Sequence, residues 1–277
     1  MNFTKSIIAL GISLAAVHAG ATVTTIPDTA LTSTAASANH LYTSSFGDVV
    51  VFPSGRNDDQ SSSSIALGYT LDNFFGADYS SIYVNNNGNV TFTGPLGNYT
   101  PSGPQGTTIP VIAPFFADVD TRGAASGLVY INKSIANETI ITWDHVGYYG
   151  VHDDKLDTFQ LVIRGNGFAT PNGEGQIGFF YGDMQWETGD ASGGHNGFGG
   201  TPAAVGFGDG QLNGFVLDGS IHNGISSVVN DSYIWFEVSD AGTPVPVPPT
   251  SVPEPGSLAL MLAGLGVVGT LVRRRQA

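Results

Sequence analysis

The residues with the most obvious potential for chemistry lie in a glycine-rich stretch, GDASGG, at positions 189–194. Glycines beside Ser192 would leave backbone N–H groups free for an oxyanion hole, but a serine nucleophile also needs a histidine base and a buried aspartate. In the GDSGG arrangement around such a nucleophile the aspartate directly precedes the serine, whereas here Ala191 separates Asp190 from Ser192. Nothing around any histidine matches a catalytic histidine motif. The spacing therefore favours Ser192 as a turn residue.

Two groups of carboxylates have the residue types for polysaccharide hydrolysis: Glu187 with Asp190, and Asp153 with Asp154 and Asp157. Hydrolysis of a glycosidic bond requires two carboxyl groups about 5 to 9.5 Å apart across a sugar-binding cleft. Clustered acids on loops are more often solvated surface groups. We therefore predict no enzyme and no catalytic residues, and we keep a secreted hydrolase that uses these acidic loops as the alternative.

One short motif, Asp118-Val119-Asp120, suits a metal ion, because alternating carboxylates project to the same side of an extended chain and calcium prefers oxygen ligands. The alternative is that either aspartate caps the turn at residues 121–123. A calcium site needs roughly 6 to 8 oxygens, and the motif supplies carboxylates from only two residues. The histidines show no short zinc-type spacing and are interpreted as loop residues: His145, His152, His195 and His222. No cofactor or metal ligand is predicted, and calcium at Asp118 and Asp120 stays open.

The composition excludes several classes of protein. Charged residues make up only 12% of the 277 residues and the formal net charge is −14, which excludes nucleic acid as a partner. The absence of cysteine excludes disulfides and thiolate metal sites. An exported domain with this sequence must therefore be held together by burial of its core.

Short apolar runs separated by turn clusters predict β-strands, and no helical period of useful length is present. The runs cover residues 82–84, 90–92, 111–116, 128–131, 139–143, 159–163, 177–181, 204–207 and 233–238. Between the first two runs, Asn87-Gly88 supplies the positive φ angles that a tight hairpin needs. The pattern predicts an all-β fold, an antiparallel β-sandwich or barrel-like domain, over residues 41–240.

Two segments, VIAPFFADVD and IGFFYGDMQW, carry apolar residues on both faces of a strand, so we expect both faces to be covered. Burial of each large apolar side chain contributes about 1.5 to 3 kcal/mol. The aromatic residues in and around these strands are predicted to lie in or near the core: Phe115, Phe116, Trp143, Phe159, Phe179, Tyr181 and Trp186.

The two ends of the sequence have the composition of targeting segments. Residues 1–21 combine Lys5, an apolar run and small residues, which predicts a secretory signal peptide handled by the Sec translocon. A proline-rich linker is predicted at 241–252. The last segment, 253–277, contains an apolar stretch at 256–272 that is long enough for a thin transmembrane helix.

This last segment resembles the PEP-CTERM sorting signal of Gram-negative bacteria. The residues that carry the resemblance are Pro253, Glu254 and Pro255 before the apolar stretch, and Arg273, Arg274 and Arg275 after it. The basic end is expected to stay cytoplasmic. The resemblance implies recognition by an exosortase, removal of the helix, and release or surface attachment of the mature protein.

The central region resembles the nidogen-like (NIDO) extracellular domain. The resemblance rests on IPVIAPFFADVDTRGAASGLVYI, FQLVIRGNG and GQIGFFYGDMQWETGDASGGHNGFGGTPAAVGFGDG, in that order, and spans about residues 54–238. It implies that Trp186, the Thr-Gly-Asp that follows and the glycine-rich turn belong to the domain framework. It also implies a non-catalytic domain of the kind found in matrix and adhesion proteins.

These features predict an exported, non-catalytic protein that passes through an inner-membrane intermediate to the cell surface or extracellular matrix of a Gram-negative bacterium. Its expected partners are the Sec translocon, an exosortase, and matrix polysaccharide or cell-surface components. Besides the hydrolase, a carbohydrate- or ice-binding module is an alternative. The scattered threonines do not form the regular face that ice binding needs: Thr91, Thr93, Thr139 and Thr142.

Replacement of Pro253, Glu254 and Pro255 by alanine should leave the protein in the inner membrane with its tail attached, because the exosortase would lose its recognition motif. Fractionation and immunoblotting of the producing cells measure this outcome. A matched variant with alanine at Pro248 and Pro249 of the predicted linker should be processed normally. Normal release of the first variant would contradict the sorting assignment.

Overall fold

A computed structural model describes residues 22–33 and 40–248. Sixteen strands are numbered here in chain order: β1 Val23–Ile26, β2 Thr32–Ser33, β3 Asp48–Val49, β4 Ile65–Phe74, β5 Ala77–Asn85, β6 Asn89–Thr91, β7 Pro110–Phe116, β8 Val119–Asp120, β9 Leu128–Asn132, β10 Glu138–Tyr148, β11 His152–Arg164, β12 Ile177–Met184, β13 Ala204–Asp209, β14 Gly214–Leu217, β15 Ser232–Val238 and β16 Pro244–Pro246. One short α-helix, α1, covers Ile225–Val229, and three 3₁₀ turns cover Asp28–Ala30, Pro104–Gly106 and Asp190–Ser192.

The strands form two sheets. One has the order β1-β14-β13-β7-β6-β5-β4, and the other has the order β16-β15-β12-β11-β10-β9-β3, with β2 pairing with β15 and β8 with β10. Neighbouring strands are antiparallel except β1 and β14, which run parallel. The structure thus confirms the predicted all-β antiparallel fold, with one parallel pair at the edge of the first sheet.

Aromatic side chains from the two sheets meet in the core. Phe207 of β13 stacks on Phe179 of β12, with ring centroids 5.1 Å apart, and it contacts Phe236 of β15 edge-to-face at 4.8 Å. Farther along, Phe115 of β7 contacts Phe159 of β11 at 5.5 Å. Offset and edge-to-face ring pairs add to the stability that comes from burial. The two sheets therefore form a β-sandwich, and all seven aromatic residues predicted for the core are buried.

Successive side chains of the central strands alternate between the core and the outer faces. In β7, Phe115 belongs to the core between the sheets and Phe116 to a second apolar cluster. In β12, Phe179 faces the core and Phe180 joins a third cluster. This alternation confirms that both strands are covered on both faces.

The predicted Asn-Gly hairpin is present between β5 and β6, where Asn85 pairs with Asn89. Gly88 has φ +74°, and a Cβ atom at this position would lie 1.8 Å from the carbonyl oxygen of Phe115. Both the backbone angle and the close approach therefore require glycine. The turn is locked against the end of β7.

The sheets extend beyond the range 41–240 that the sequence indicated. Val23–Ile26 adds an edge strand beside β14, and Pro244–Pro246, inside the predicted linker, pairs with β15. The linker prediction did not include this strand, because alternating prolines rarely join a sheet except at its edge. The short helix α1 was also missed, since five residues are too few for a helical period.

Within the described residues, no helix combines the length and the apolar character that crossing a bilayer requires. The predicted signal peptide at 1–21 and the predicted helix at 256–272 lie outside these residues. Both stay predictions.

Substitution Trp186→Ala should lower the free energy of unfolding by about 3 to 5 kcal/mol, because the substitution leaves a large cavity. Trp186 is fully buried, contacts the rings of Phe115 and Tyr148, and donates its indole N–H to the Val146 carbonyl at 3.0 Å. Urea denaturation followed by circular dichroism measures the loss, and Trp186→Phe should lose less. An unchanged melting transition with reduced ligand binding would place Trp186 on a binding surface instead.

Candidate functional site

The glycine-rich loop after β12 is organised by its own backbone. The carbonyl of Gly197 accepts hydrogen bonds from the N–H groups of both Glu187 and Thr188, at 2.8 and 3.0 Å. Gly193, in the left-handed region at φ +79°, ends the 3₁₀ turn of Asp190–Ser192. The loop therefore has the conformation of a framework turn.

Ser192 is engaged within this framework. Its hydroxyl lies 2.9 Å from the Thr100 hydroxyl and 3.5 Å from the Tyr99 carbonyl. Asp190 instead binds His152, with Oδ2 and Nε2 2.8 Å apart. Serine, imidazole and carboxylate therefore do not form the chain of hydrogen bonds that activates a nucleophile, as far as the described residues show.

Glu187 and Asp190 have different partners. Glu187 is buried, and its carboxylate accepts hydrogen bonds from the backbone N–H groups of Gly224 and Ser226 and from the Ser226 hydroxyl, at 2.9 to 3.1 Å. These bonds fix the start of α1. Asp190 is exposed and pairs with His152. The structure thus gives Glu187 a structural role.

The carboxylates of the second acidic group, Asp153, Asp154 and Asp157, also have different hydrogen-bond partners. Asp153 accepts a hydrogen bond from the backbone N–H of Ala125, and Asp154 accepts one from the Tyr148 hydroxyl and pairs with Lys155. These contacts lie at the start of β11 and connect neighbouring loops. They differ from a pair of carboxyl groups facing each other across a cleft.

Asp157 is fully buried in β11 and fixes the chain next to Trp186. Its Oδ1 accepts hydrogen bonds from the backbone N–H groups of Gln185 and Trp186, at 2.6 and 3.1 Å. Burial raises the pKa of Asp157 well above its usual value, although these two N–H groups oppose the rise. The group is therefore costly to ionise in the folded protein.

The four candidate histidines are dispersed. His145 lies within β10 and His152 begins β11, so the interpretation of both as loop residues was wrong. His145 pairs with Asp144, and Nδ1 of His222 donates a hydrogen bond to the Ser220 carbonyl at 2.7 Å. His195 forms an isolated bridge with Phe198. The described histidines form no zinc-type cluster.

Asp118 and Asp120 behave differently although they are two residues apart. Both oxygens of Asp120 bind the Arg122 side chain, at 2.6 and 2.8 Å, and Oδ1 also accepts the backbone N–H of Arg122. Asp120 therefore has the turn-capping role that was the alternative to calcium. Asp118 points elsewhere and has no hydrogen-bond donor on either carboxylate oxygen.

Asp118 lies with two other acids that the motif did not include. Oxygen atoms of Asp58, Asp59 and Asp118 lie within 4.8 Å of one another. Burial and the neighbouring carboxylates raise the pKa of Asp118 to about 8, and the same causes raise the pKa of Asp58 to about 6. Sequence reasoning missed Asp58 and Asp59 because they lie about 60 residues from Asp118, in the loop before β4. We call these three residues the acidic cluster.

A groove on the outer face of the second sheet has a different character. It has a volume of about 480 Å³, and its lining includes Tyr42, Phe180, Tyr233, Trp235 and Glu174. The rings contact one another: Phe180 and Tyr233 are stacked at 5.4 Å, and Phe180 and Trp235 meet edge-to-face at 5.1 Å. We call this site the aromatic groove.

A buried ion pair supports the aromatic groove from below. Arg164 binds Glu138 at 2.7 Å and Glu174 at 2.6 Å, and its guanidinium lies over the ring of Trp235 at 4.3 Å. The Tyr42 hydroxyl accepts a hydrogen bond from Arg164 at 2.6 Å. These contacts fix the orientation of the aromatic rings and leave carboxylate and hydroxyl groups at the edge of the groove.

Comparison with known families gives two matches. The family model for the nidogen-like domain matches residues 80–140 and 134–237, and the model for the PEP-CTERM protein-sorting motif matches residues 251–276. The two matches describe an exported, cell-surface protein, and the sorting motif implies processing by an exosortase. The chain belongs to the nidogen-like domain family.

Several curated proteins are similar to this chain. Alpha-tectorin of Mus musculus is 36% identical over an alignment of 191 positions that covers 59% of this chain and 8% of that protein. Nidogen of Drosophila melanogaster is 28% identical over 43% of the chain and 10% of that protein, and nidogen-2 of Mus musculus is 30% identical over 44% and 11%. The chain thus spans only about a tenth of the length of these relatives. No solved structure gives a significant match.

Substitution Asp157→Asn should make stability less dependent on pH. A carboxyl group whose pKa is raised on folding keeps its proton in the folded state at pH values where the unfolded chain has lost it. The free energy of unfolding therefore falls as pH rises above the unfolded value of 3.8, by up to about 1.4 kcal/mol per pH unit. Urea denaturation at about pH 5 and about pH 8 should show a smaller fall for the variant. If the free energy of unfolding fell equally with pH in the two proteins, Asp157 would not be the source of this pH dependence.

Proposed function

We propose that this exported surface protein binds matrix polysaccharide in the aromatic groove and thereby attaches cells to their matrix. The observation that carries the proposal is the composition of the groove, in which aromatic rings lie beside carboxylate, amide and hydroxyl groups. Sugar rings present apolar C–H faces and a rim of hydroxyl groups. A site with apolar rings and a few fixed polar groups suits such a ligand.

The position of the aromatic groove supports this function. Its rings lie on the face of β12 and β15 opposite the core, so ligand contact does not require the sandwich to open. Tyr42 and Tyr233 are half-buried, which leaves part of each ring accessible. The supporting pair of Arg164 with Glu138 is fully buried and holds the polar edge in place. Preorganised sites of this kind lose little conformational freedom on binding.

The proposal includes binding without turnover. Glu187 and Asp157 are committed to backbone N–H groups in the framework, and Asp154 to Tyr148 and Lys155. Groups held in this way are poorly placed to exchange protons with a sugar. On this proposal the chain enters through the Sec translocon and is held in the inner membrane by residues 256–272 until exosortase processing.

The test uses the full-length chain in detergent and polysaccharide extracted from the producing organism. Tyr233→Ala should weaken binding about tenfold or more, because aromatic anchors commonly contribute over 1 kcal/mol to an interface. Tyr233→Phe keeps the ring and should bind nearly as well as wild type. Binding is measured by co-sedimentation, and thermal melting confirms that each variant is folded.

Tyr99→Ala is the matched control, because Tyr99 is an exposed aromatic residue that does not line the aromatic groove. It should bind like wild type. Equal binding by the Tyr233→Ala and wild-type proteins would remove the groove from the proposal. Release of reducing sugars by the wild-type protein would replace adhesion with hydrolysis, and loss of that release in Asp190→Asn would identify the acidic loop.

A further inference from the structure

Buried oxygen atoms without hydrogen-bond donors are concentrated at one place in the molecule. The described residues include ten such side-chain oxygens, and five of them belong to Asp58, Asn86, Asn87 and Asp118. Buried acceptors normally find a donor, because leaving one without a partner costs about 1 to 3 kcal/mol. Several buried oxygens without donors in one region indicate a cation site, because a cation binds the lone pairs that such oxygens offer.

The three members of the acidic cluster are close enough to share one ion. One oxygen atom from each of Asp58, Asp59 and Asp118 lies within 4.8 Å of the others. Calcium binds oxygen at about 2.3 to 2.6 Å, so two ligands on opposite sides of one ion lie about 4.6 to 5.2 Å apart. The three carboxylate oxygens are therefore close enough to coordinate one calcium ion without movement of the backbone.

Two buried asparagines hydrogen-bond to the segment that carries Asp58 and Asp59. The amide nitrogen of Asn86 donates to the backbone carbonyls of Asp58 and Val119, at 2.5 and 2.6 Å. The amide nitrogen of Asn87 donates to Asp59 Oδ1 at 2.8 Å and to the Asn98 carbonyl. Because both nitrogens have two acceptors, neither amide can be reversed. Each amide oxygen is left as a buried acceptor without a donor.

The protein's own charges neutralise the acidic cluster only in part. Arg122 is the guanidinium that faces these acids, and it binds both oxygens of Asp120 and only Oδ2 of Asp58. Asp118 is 1% exposed and forms no ion pair in the described part of the chain. A buried carboxylate that lacks both a donor and a counter-charge is strongly unfavourable unless an ion compensates it.

We propose that the acidic cluster binds one Ca²⁺ ion. The carboxylates of Asp58, Asp59 and Asp118 supply the charged ligands, and on this proposal the donor-free amide oxygens of Asn86 and Asn87 supply neutral ones. Calcium is favoured over magnesium because carboxylate and amide oxygens from rigid, separate segments suit its flexible coordination. Water completes the coordination on the side where Asp58 and Asp59 reach solvent.

The ion would connect three segments of the fold. Asp58 and Asp59 lie before β4, the asparagines form the β5–β6 turn, and Asp118 links β7 to β8. The glycine-rich loop closes over the same point, since a Cβ atom on Gly189 would lie 2.6 Å from Asp118 Oδ2. Calcium thus replaces, at one end of this cysteine-free sandwich, the cross-link that a disulfide would supply.

The test measures calcium binding and its effect on stability in the full-length chain, treated with EDTA and dialysed in detergent. Titration calorimetry with CaCl₂ should give one site, with a Kd of about 10⁻⁴ to 10⁻³ M, as in extracellular calcium modules. Addition of 10 mM CaCl₂ should raise Tm by about 3 to 10 °C. The same concentration of MgCl₂ should raise it less, and an equal rise would overturn the assignment to calcium.

Asp118→Asn should weaken calcium binding at least tenfold and remove the rise in Tm. In EDTA this variant should melt at or above the wild-type temperature, because it removes a buried acid that has neither a donor nor a counter-charge. Asp157→Asn is the matched control, since it replaces another buried acid outside the acidic cluster and should keep the calcium response. A calcium response in Asp118→Asn equal to that of wild type would overturn the proposal.

If Asp118→Asn does not fold, the partly exposed Asp59→Asn replaces it in the calorimetric titration and should also bind at least tenfold more weakly. Absence of calcium-dependent heat and of a Tm shift in the wild-type protein would overturn the proposal. These measurements need no polysaccharide, so they are independent of the adhesive function.

Discussion

Burial of aromatic rings between two sheets is the constraint on which the rest of this structure depends. The chain has no cysteine, so no disulfide can join the sheets. Contacts such as Phe207 with Phe179 at 5.1 Å, and Phe115 with Phe159 at 5.5 Å, hold the sheets together instead. Close packing of this kind tolerates little change in side-chain volume. It also fixes the positions of the loops at the edges of the sandwich.

The same strands serve the core and the surface because side chains alternate along a strand. Phe179 contributes to the core, and its neighbour Phe180 helps to form the aromatic groove. The buried pair of Arg164 and Glu138 joins the neighbouring strands β10 and β11 beneath the aromatic groove. A rigid core thus determines where the aromatic rings of the outer face lie, and a binding surface built on it requires no change of fold.

Most acidic side chains that attract attention in the sequence have structural tasks. Glu187 fixes the start of α1, Asp157 holds the chain beside Trp186, and Asp120 caps a turn with Arg122. Each accepts hydrogen bonds from nearby backbone or side-chain donors. The acidic cluster is the exception, because both oxygens of Asp118 and one oxygen of Asp58 lack donors, and this difference separates a candidate ion site from ordinary loop chemistry.

The sequence by itself determined nine of the sixteen described strands, the aromatic core and the hairpin at Gly88, because alternation, β-propensity and turn geometry are local properties. It also indicated the family, through segments such as APFFADVD and GDMQWETGDASGG. Only the tertiary structure decided that Asp118 joins Asp58 and Asp59 while Asp120 does not, that 23–26 and 244–246 complete the sheets, and that Tyr42 reaches Trp235. These contacts join residues far apart in the chain, and no local pattern encodes which distant segments will meet.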